Sequence, residues 1–235
     1  MKPLLFMLLV LPATSLLFAQ TDQARFYLGA SYGTSFSMGD FDDTNLSNPD
    51  AGFADNGAKL DVYGGYFLNE KFTLIGTFRY QSFATEIEND INSLNETNPG
   101  ADFSGSSEDW QIYYILAGVA YQVNITKNFA ILPRIALGPM FLTTPGIDIN
   151  STATPFVQNF SRSSETGLGL GYELGVGLRS DLGRRFSLLP TFSFSGGIAT
   201  ITDVETTTDN LVVTGDYNPR VMSFTLGLSL AYRFY

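Results

Sequence analysis

Hydrophobic and polar residues alternate without a break near the end of the chain. From Met222 to Phe234 every even-numbered residue is apolar, and the residues between them are small apart from Arg233. Successive side chains of a β-strand point to opposite faces, so this pattern predicts a strand with one apolar face and one small, polar face. Its length suits a tilted strand that crosses a membrane, and its last apolar residues, Tyr232 and Phe234, are aromatic.

Seven earlier segments alternate in the same way. We predict strands over residues 25–36, 58–68, 72–83, 110–123, 129–141, 167–179, 186–198 and 222–234. The connectors between them are alternately short and long: 69–71, 124–128 and 181–185 are short, whereas 37–57, 85–109, 143–165 and 202–218 are long. All long connectors therefore leave the same edge of the sheet, which is typical of an antiparallel up-and-down β-barrel. We predict an all-β chain with eight strands.

The faces of such a barrel can be assigned in two ways. In a soluble barrel the large apolar residues would fill the interior, and the glycines that alternate with them over residues 167–177 would lie on a bare outer surface. Glycine there weakens a strand and gains no packing. In a transmembrane barrel the same glycines face a narrow lumen, where an eight-stranded barrel has little room. We favour the transmembrane arrangement, with short periplasmic turns and long extracellular loops.

The start of the chain has the features of an export signal. Lys2 is followed by an apolar run over residues 4–11, which Pro12 ends and which is too short to span a bilayer. We predict that residues 1–19 are a cleaved signal peptide and that residues 20–235 form a single barrel domain. No later segment offers about 20 unbroken apolar residues, so any membrane crossing must use strands.

Composition excludes several classes of function. The 235 residues contain no Cys and no His, and the formal net charge is -10. Without these residues the chain cannot form a thiolate metal site, a cysteine nucleophile or a His-based catalytic centre. The negative charge argues against a nucleic-acid partner, which would require a basic surface. We therefore expect no enzymatic activity, no resident metal and no cofactor.

The chain resembles the bacterial outer-membrane β-barrel family, in particular the eight-stranded group that includes OmpA barrels and OmpX. The export signal, the turn between Tyr66 and Phe72, its counterpart between Tyr121 and Phe129, and the closing strand Leu228–Tyr235 carry the resemblance. The signal ending Phe18-Ala19-Gln20 is similar to those of Bacteroidota. The resemblance implies a monomeric, porin-like, multi-pass protein of the Gram-negative cell envelope, which contacts lipid and lipopolysaccharide and is inserted by the barrel assembly machinery.

Four charged residues are expected inside the lumen at similar height. A turn centred on Glu70 would place Asp61 opposite Arg79 and Lys59 opposite Gln81. Counting from the other short turns brings Arg134 and Glu173 to about the same level. Unpaired charges in a confined interior are costly, so we predict that Asp61, Arg79, Arg134 and Glu173 form a network. Such a network is similar to those of OmpA-type barrels, and it either satisfies a polar interior or gates a narrow water path.

The long connectors are rich in Asp and Glu, and Arg162 is their one basic residue. Solvation of mobile loops explains these acids, and divalent-cation binding is the alternative, with Asp40, Asp42 and Asp43 as a possible cation-binding loop. Aromatic residues near the long-loop edge are expected to form a membrane-interface girdle; these are Phe36, Tyr80, Phe83, Trp110 and Phe141.

Three functions are compatible with this sequence. The first is a non-enzymatic structural or surface-interaction role, in which the acidic loops contact an envelope complex or an extracellular partner. The second is a narrow channel or small-solute conduit controlled by the lumen charges. The third, a lipid-modifying enzyme, is disfavoured by the lack of His.

Overall fold

Eight antiparallel strands close into a ring in the computed structural model, which describes residues 24–44, 48, 51–151, 159–208 and 211–235. The predicted signal peptide, residues 1–19, lies outside the described residues. The barrel strands, called first to eighth in chain order, are Phe26–Ser37, Ala54–Phe67, Phe72–Thr85, Trp110–Tyr121, Phe129–Thr143, Thr166–Leu182, Phe186–Thr208 and Arg220–Phe234. A short strand, Val123–Asn124, also pairs with the fifth.

Each barrel strand pairs with its neighbours in the chain, and the first strand pairs with the eighth to close the ring. In that closing pair Phe26 lies opposite Phe234 and stacks on it, with ring centroids 4.4 Å apart. The predicted register of the second and third strands is also confirmed, since Asp61 lies opposite Arg79 and Lys59 opposite Gln81. The eight-stranded up-and-down topology is therefore as the alternation predicted.

The outer face of the ring is apolar and the inner face is buried, which is the arrangement expected for a transmembrane barrel. On the sixth strand Leu168, Leu170 and Leu174 are 50–65% exposed, whereas Gly171 and Glu173 between them are buried. A Cβ atom at Gly171 would lie 2.5 Å from the ring of Tyr114 across the interior. Glycine is therefore required at this inward position because the lumen has no room for a side chain.

The seventh strand is longer than predicted. The sequence pattern ended it at Ile198, but it continues to Thr208. The added residues include several β-branched side chains, which favour extended backbone. The pairing is irregular between Ile201 and Val204, where Asp203 has a φ of 62°. This irregularity marks the point at which the strand leaves the ring and enters a second sheet.

Three of the four long connectors combine into that second sheet, which we call the outer sheet. Its strands, in spatial order, are Leu211–Tyr217, the end of the seventh barrel strand, Phe160–Arg162, Ile147–Ser151 and Phe103–Ser107. An α-helix, Glu88–Thr97, packs beside Phe103–Ser107 and is joined to it through Asn95, which both donates to and accepts from the Phe103 backbone. These three connectors therefore contain regular paired strands, which the alternation of the sequence did not predict.

The other helical element among the described residues is a single 3₁₀ turn, Gly39–Phe41, in the first long connector. Within the described ranges, no helix has the length and apolar character needed to cross a membrane.

Candidate functional site

The barrel interior contains a linear chain of five alternating charges. Lys59 Nζ lies 3.2 Å from Asp61 Oδ2, and Arg79 binds the same carboxylate through Nε at 2.8 Å and Nη2 at 3.2 Å. Arg79 Nη2 also donates to Glu173 Oε2, and Glu173 Oε1 forms an ion pair with Arg134 Nε. The order from one end to the other is therefore cation, anion, cation, anion, cation.

This charge chain crosses the lumen between opposite walls of the barrel. Lys59 and Asp61 belong to the second strand, Arg79 to the third, and Arg134 and Glu173 to the fifth and sixth. All are fully or almost fully buried except Arg134, which keeps a small exposed fraction. Buried ions are tolerated only when they are paired with good geometry, and the bidentate contact between Arg79 and Asp61 meets that condition.

The four charges predicted from the sequence are brought together here, and Lys59 was missed as a fifth member. The available signal was that Lys59 and Asp61 are two residues apart on the second strand, since residues two apart in a strand face the same side. Gly175 provides the space for Arg134, which ends the charge chain, since a Cβ atom at this glycine would lie 3.0 Å from Arg134 Nε.

Beside the charges lies a layer of hydroxyl groups. Gln81 Nε2 donates to Ser35 Oγ at 2.8 Å, Ser35 Oγ lies 3.0 Å from Thr225 Oγ1, and Ser195 Oγ lies 3.1 Å from Ser223 Oγ. These residues occupy the inner face of the first, third, seventh and eighth strands. The interior at this level is polar but packed, and it is not a water-filled bore.

The long-loop mouth is closed by three aromatic residues, Phe41, Phe83 and Trp110, which we call the aromatic plug. The ring of Phe41 lies 5.1 Å from that of Phe83 and 5.3 Å from that of Trp110, both edge-on. Trp110 Nε1 donates to the Gly52 carbonyl oxygen at 2.9 Å, so the plug also holds the first long connector in the mouth. All three rings are at most 2% exposed.

The girdle prediction was therefore wrong for Phe83 and Trp110. Both residues have the parity of the inward face on their strands, and that parity outweighs the preference of aromatic residues for the membrane interface. Phe36 and Phe141 do lie on the outer face, as expected, and Tyr80 is partly buried.

The predicted cation-binding loop lies next to the plug. Asn48 Nδ2 donates to Asp43 Oδ2 at 2.7 Å and contacts Asp40 Oδ1 at 3.5 Å, and Asp42 Oδ1 accepts from Ser37 at 3.3 Å. Among the described residues, no three acidic side chains are grouped closely enough to hold a metal ion. Asp40, Asp42 and Asp43 thus make local hydrogen bonds, and the structure gives no support for a cation site.

The opposite mouth is open and lined by polar residues. Two adjoining cavities of about 470 and 480 Å³ lie there, and both are bordered by Gln122, Asn124, Arg179 and Arg233. Lys71, Lys127, Arg184 and Arg185 occupy the turns around this mouth. The barrel is therefore closed at the long-loop end and open at the short-turn end.

The ring topology, the apolar outer face and the polar interior define an integral β-barrel membrane protein. The sequence matches the family described as "Outer membrane protein beta-barrel domain" over residues 4–234, so the chain belongs to that family. It is a protein of the bacterial outer membrane, with its short turns in the periplasm and its long loops outside the cell. No curated protein matches the chain.

Several solved structures are similar at low identity. The attachment invasion locus protein Ail of Yersinia pestis is 16% identical, with 90% of this chain and 99% of that chain covered and a TM-score of 0.47. A major outer membrane protein from Thermus thermophilus is 14% identical, with the same coverage and a TM-score of 0.47. The N-terminal β-barrel domain of Pseudomonas aeruginosa OprF is 11% identical, covers 90% of this chain and 100% of that chain, and has a TM-score of 0.41.

Proposed function

We propose that this protein is a non-enzymatic surface-interaction protein, and that the outer sheet is its binding platform. The observation that carries this proposal is the pairing of three long connectors into one sheet. Ordering connecting segments costs about 1–2 kcal/mol of backbone entropy per residue, which loops that only solvate the rim have no need to lose. A sheet that projects beyond the membrane offers a partner a preorganised surface.

The charge of the platform indicates the chemistry of the partner. Asp148, Asp203, Glu205 and Asp216 are exposed on or beside its strands. Arg162, the one basic residue of the long connectors, lies against the ring of Tyr217, with its Cζ 4.6 Å from the ring centre. Four acidic side chains against this one arginine give the platform a net negative charge. A partner with a basic surface is complementary to it, whereas lipopolysaccharide, which is itself anionic, would require bridging divalent cations.

Site-specific photo-crosslinking in living cells tests this function. A photo-reactive residue at Ser106 or Thr214, both exposed on the outer sheet, is expected to give a discrete cross-linked product. Neutralising the platform with Asp148→Asn, Glu205→Gln and Asp216→Asn should reduce that product, because the attraction is electrostatic.

Two controls accompany this experiment. Glu88→Gln combined with Glu96→Gln removes two acidic groups from the helix and should leave the cross-link intact. A photo-reactive residue at the lipid-facing Leu228 should give no product of the same size. If no outer-sheet position gives a product, or if neutralising the platform leaves the product unchanged, the platform is not the binding surface.

A narrow channel gated by the lumen charges is the second candidate. It is favoured by one observation, namely that Arg79 contacts both Asp61 and Glu173 and could exchange between them. Two obstacles oppose it, because the charge chain and the aromatic plug both lie across the conduction path. Conductance of the wild type in planar bilayers, altered by Arg79→Ala or Glu173→Ala, would support the channel, and silent traces from all three would exclude it.

We propose no catalytic role, since the chain has neither His nor Cys. A lipid-modifying enzyme is the least favoured alternative, and lipid analysis of a deletion strain tests it. We further propose that residues 20–235 act as one monomeric barrel domain after residues 1–19 are removed, and that the barrel assembly machinery inserts it.

A further inference from the structure

The periplasmic mouth contains two arginines that share one carboxylate oxygen. Arg179 Nε and Arg233 Nη2 each lie 3.2 Å from Asp181 Oδ1. Ser187 Oγ donates to the same oxygen at 2.8 Å. One negative charge thus faces two guanidinium groups, so this cluster retains a positive charge that none of its own members neutralises.

The two cavities of the mouth adjoin this cluster. Arg179 and Arg233 border both of them, and Asp181 borders the second. The other charged side chains on the cavity walls are Arg25 and Glu70 in one and Lys127 in the other. Basic side chains therefore outnumber acidic ones along the described cavity walls, and there is space for a molecule much larger than water.

The arginines are held in place but not saturated. Arg179 Nη1 donates to Gln122 Oε1 at 2.7 Å, and Gln122 Nε2 in turn donates to Asn124 Oδ1 at 2.6 Å. The Nε atoms of Arg179 and Arg233 are buried, and within the described residues they make no hydrogen bond of good geometry. A guanidinium presents five N–H donors in a planar fork, which matches the two oxygens of a carboxylate or phosphate group.

We propose that this mouth is a binding site for an oxyanion, a carboxylate or phosphate group of a small periplasmic solute, held between Arg179 and Arg233. The charge distribution directs anions to this end, because the opposite end of the barrel carries the acidic loops. The charge chain and the aromatic plug close the path above the site. The solute therefore enters and leaves from the periplasm and does not cross the membrane.

Nuclear magnetic resonance of the whole refolded barrel in detergent micelles tests this site. The Nε–H signals of the arginines are recorded while inorganic phosphate or succinate is added, with ionic strength held constant by chloride. Saturable shifts of the Arg179 and Arg233 signals are expected with at least one probe. The probe that saturates identifies the group as phosphate or carboxylate. Linear shifts with both probes, equal to those of chloride alone, would overturn the proposal.

Substitutions locate the site. Arg179→Gln and Arg233→Gln should each raise Kd at least about tenfold, since each removes a charged hydrogen-bonding partner of the anion. Lys71→Gln, which removes a positive charge from a turn at the same end, should leave Kd within about twofold.

A second variant keeps the test independent of folding. Arg233→Lys retains the charge but loses the planar fork, so it should bind more weakly than wild type and more tightly than Arg233→Gln. Folding of each variant is checked by its heat-modifiable migration in gels. Unchanged affinity in folded Arg179→Gln and Arg233→Gln would show that the anion binds elsewhere.

Discussion

Arg79 donates a hydrogen bond to Glu173 across the barrel interior, although the two residues are 94 positions apart in the sequence. This contact joins the ion pairs of the second and third strands to that of the fifth and sixth. Each acid in the resulting chain lies between two cations, so loss of either acid leaves buried positive charge without a partner. Single substitutions that remove one of these acidic charges are therefore expected to lower the stability of the ring.

Glu173→Gln is expected to destabilise the barrel by about 3–5 kcal/mol, the usual cost of removing one partner from a buried ion pair. Urea unfolding in phospholipid vesicles, followed by tryptophan fluorescence, measures the change. Glu88→Gln, on the exposed face of the loop helix, serves as the matched control and should unfold at the wild-type midpoint. Equal midpoints for the two variants would show that the charge chain contributes no stability.

Gly171→Ala is expected to destabilise the barrel by about 1–3 kcal/mol, because the added methyl group overlaps the ring of Tyr114. Gly76→Ala makes the same chemical change on the outer face, where a Cβ atom meets nothing within 4 Å. It should be neutral or slightly stabilising, since alanine restricts the unfolded chain more than glycine does. The same unfolding assay compares them, and similar losses in both would place Gly171 outside the packed lumen.

Leu174→Arg and Val213→Arg separate the lipid-facing band from the outer sheet. The two side chains are 50% and 56% exposed, but Leu174 lies midway along a barrel strand and Val213 lies on the outer sheet. Arginine at the bilayer midplane costs about 2–4 kcal/mol, whereas arginine in water costs little. Unfolding in vesicles should therefore distinguish the variants. A large loss for Val213→Arg would indicate that this strand is not in water.

Phe41→Ala should release the first long connector from the barrel mouth. The substitution removes the ring that contacts Phe83 and Trp110, at a cost of about 3–5 kcal/mol. We expect faster protease cleavage between residues 42 and 51 when intact cells are treated with a protease. Mass spectrometry of the released peptides measures the rate. Phe78→Ala, which removes a ring from the outer face, should leave that cleavage rate unchanged. Equal rates in the wild type and Phe41→Ala would mean that the plug does not anchor the connector.

The signal peptide, residues 1–19, is expected to be removed, so the mature chain should begin at Gln20. The intact mass of the protein purified from outer membranes measures this directly. Replacing Ala19 by a bulky residue, as in Ala19→Leu, should block processing and leave the longer species. A wild-type mass that includes residues 1–19 would contradict the prediction.

The ring could be predicted because its information is local. Period-two alternation gives the face of each residue, and a short turn then gives the register, which is how Asp61 and Arg79 were placed opposite each other. Lys59 obeyed the same rule and was missed only because it was paired with the neutral Gln81. Phe83 and Trp110 differ from the girdle prediction because their inward parity outweighs the preference of aromatic residues for the membrane interface.

The outer sheet could not be predicted in full, because two of its pairings join strands of different long connectors. Strands such as Phe103–Ser107 and Phe160–Arg162 are too short to show a clear period. Phe103–Ser107 pairs with Ile147–Ser151 of the next long connector, and no short turn links the two. The continuation of the seventh strand beyond Ile198 pairs with Leu211–Tyr217 and with Phe160–Arg162 of another connector, and the irregular pairing between Ile201 and Val204 interrupts its alternation.

The way the outer sheet is assembled also fixes an order of events. Its strands come from the second, third and fourth long connectors. It therefore cannot be completed until the seventh barrel strand has crossed the membrane and the chain has turned back into Leu211–Tyr217. A half-built barrel would display only fragments of this surface. A complete outer sheet outside the cell therefore requires that the first seven barrel strands are already inserted in the membrane.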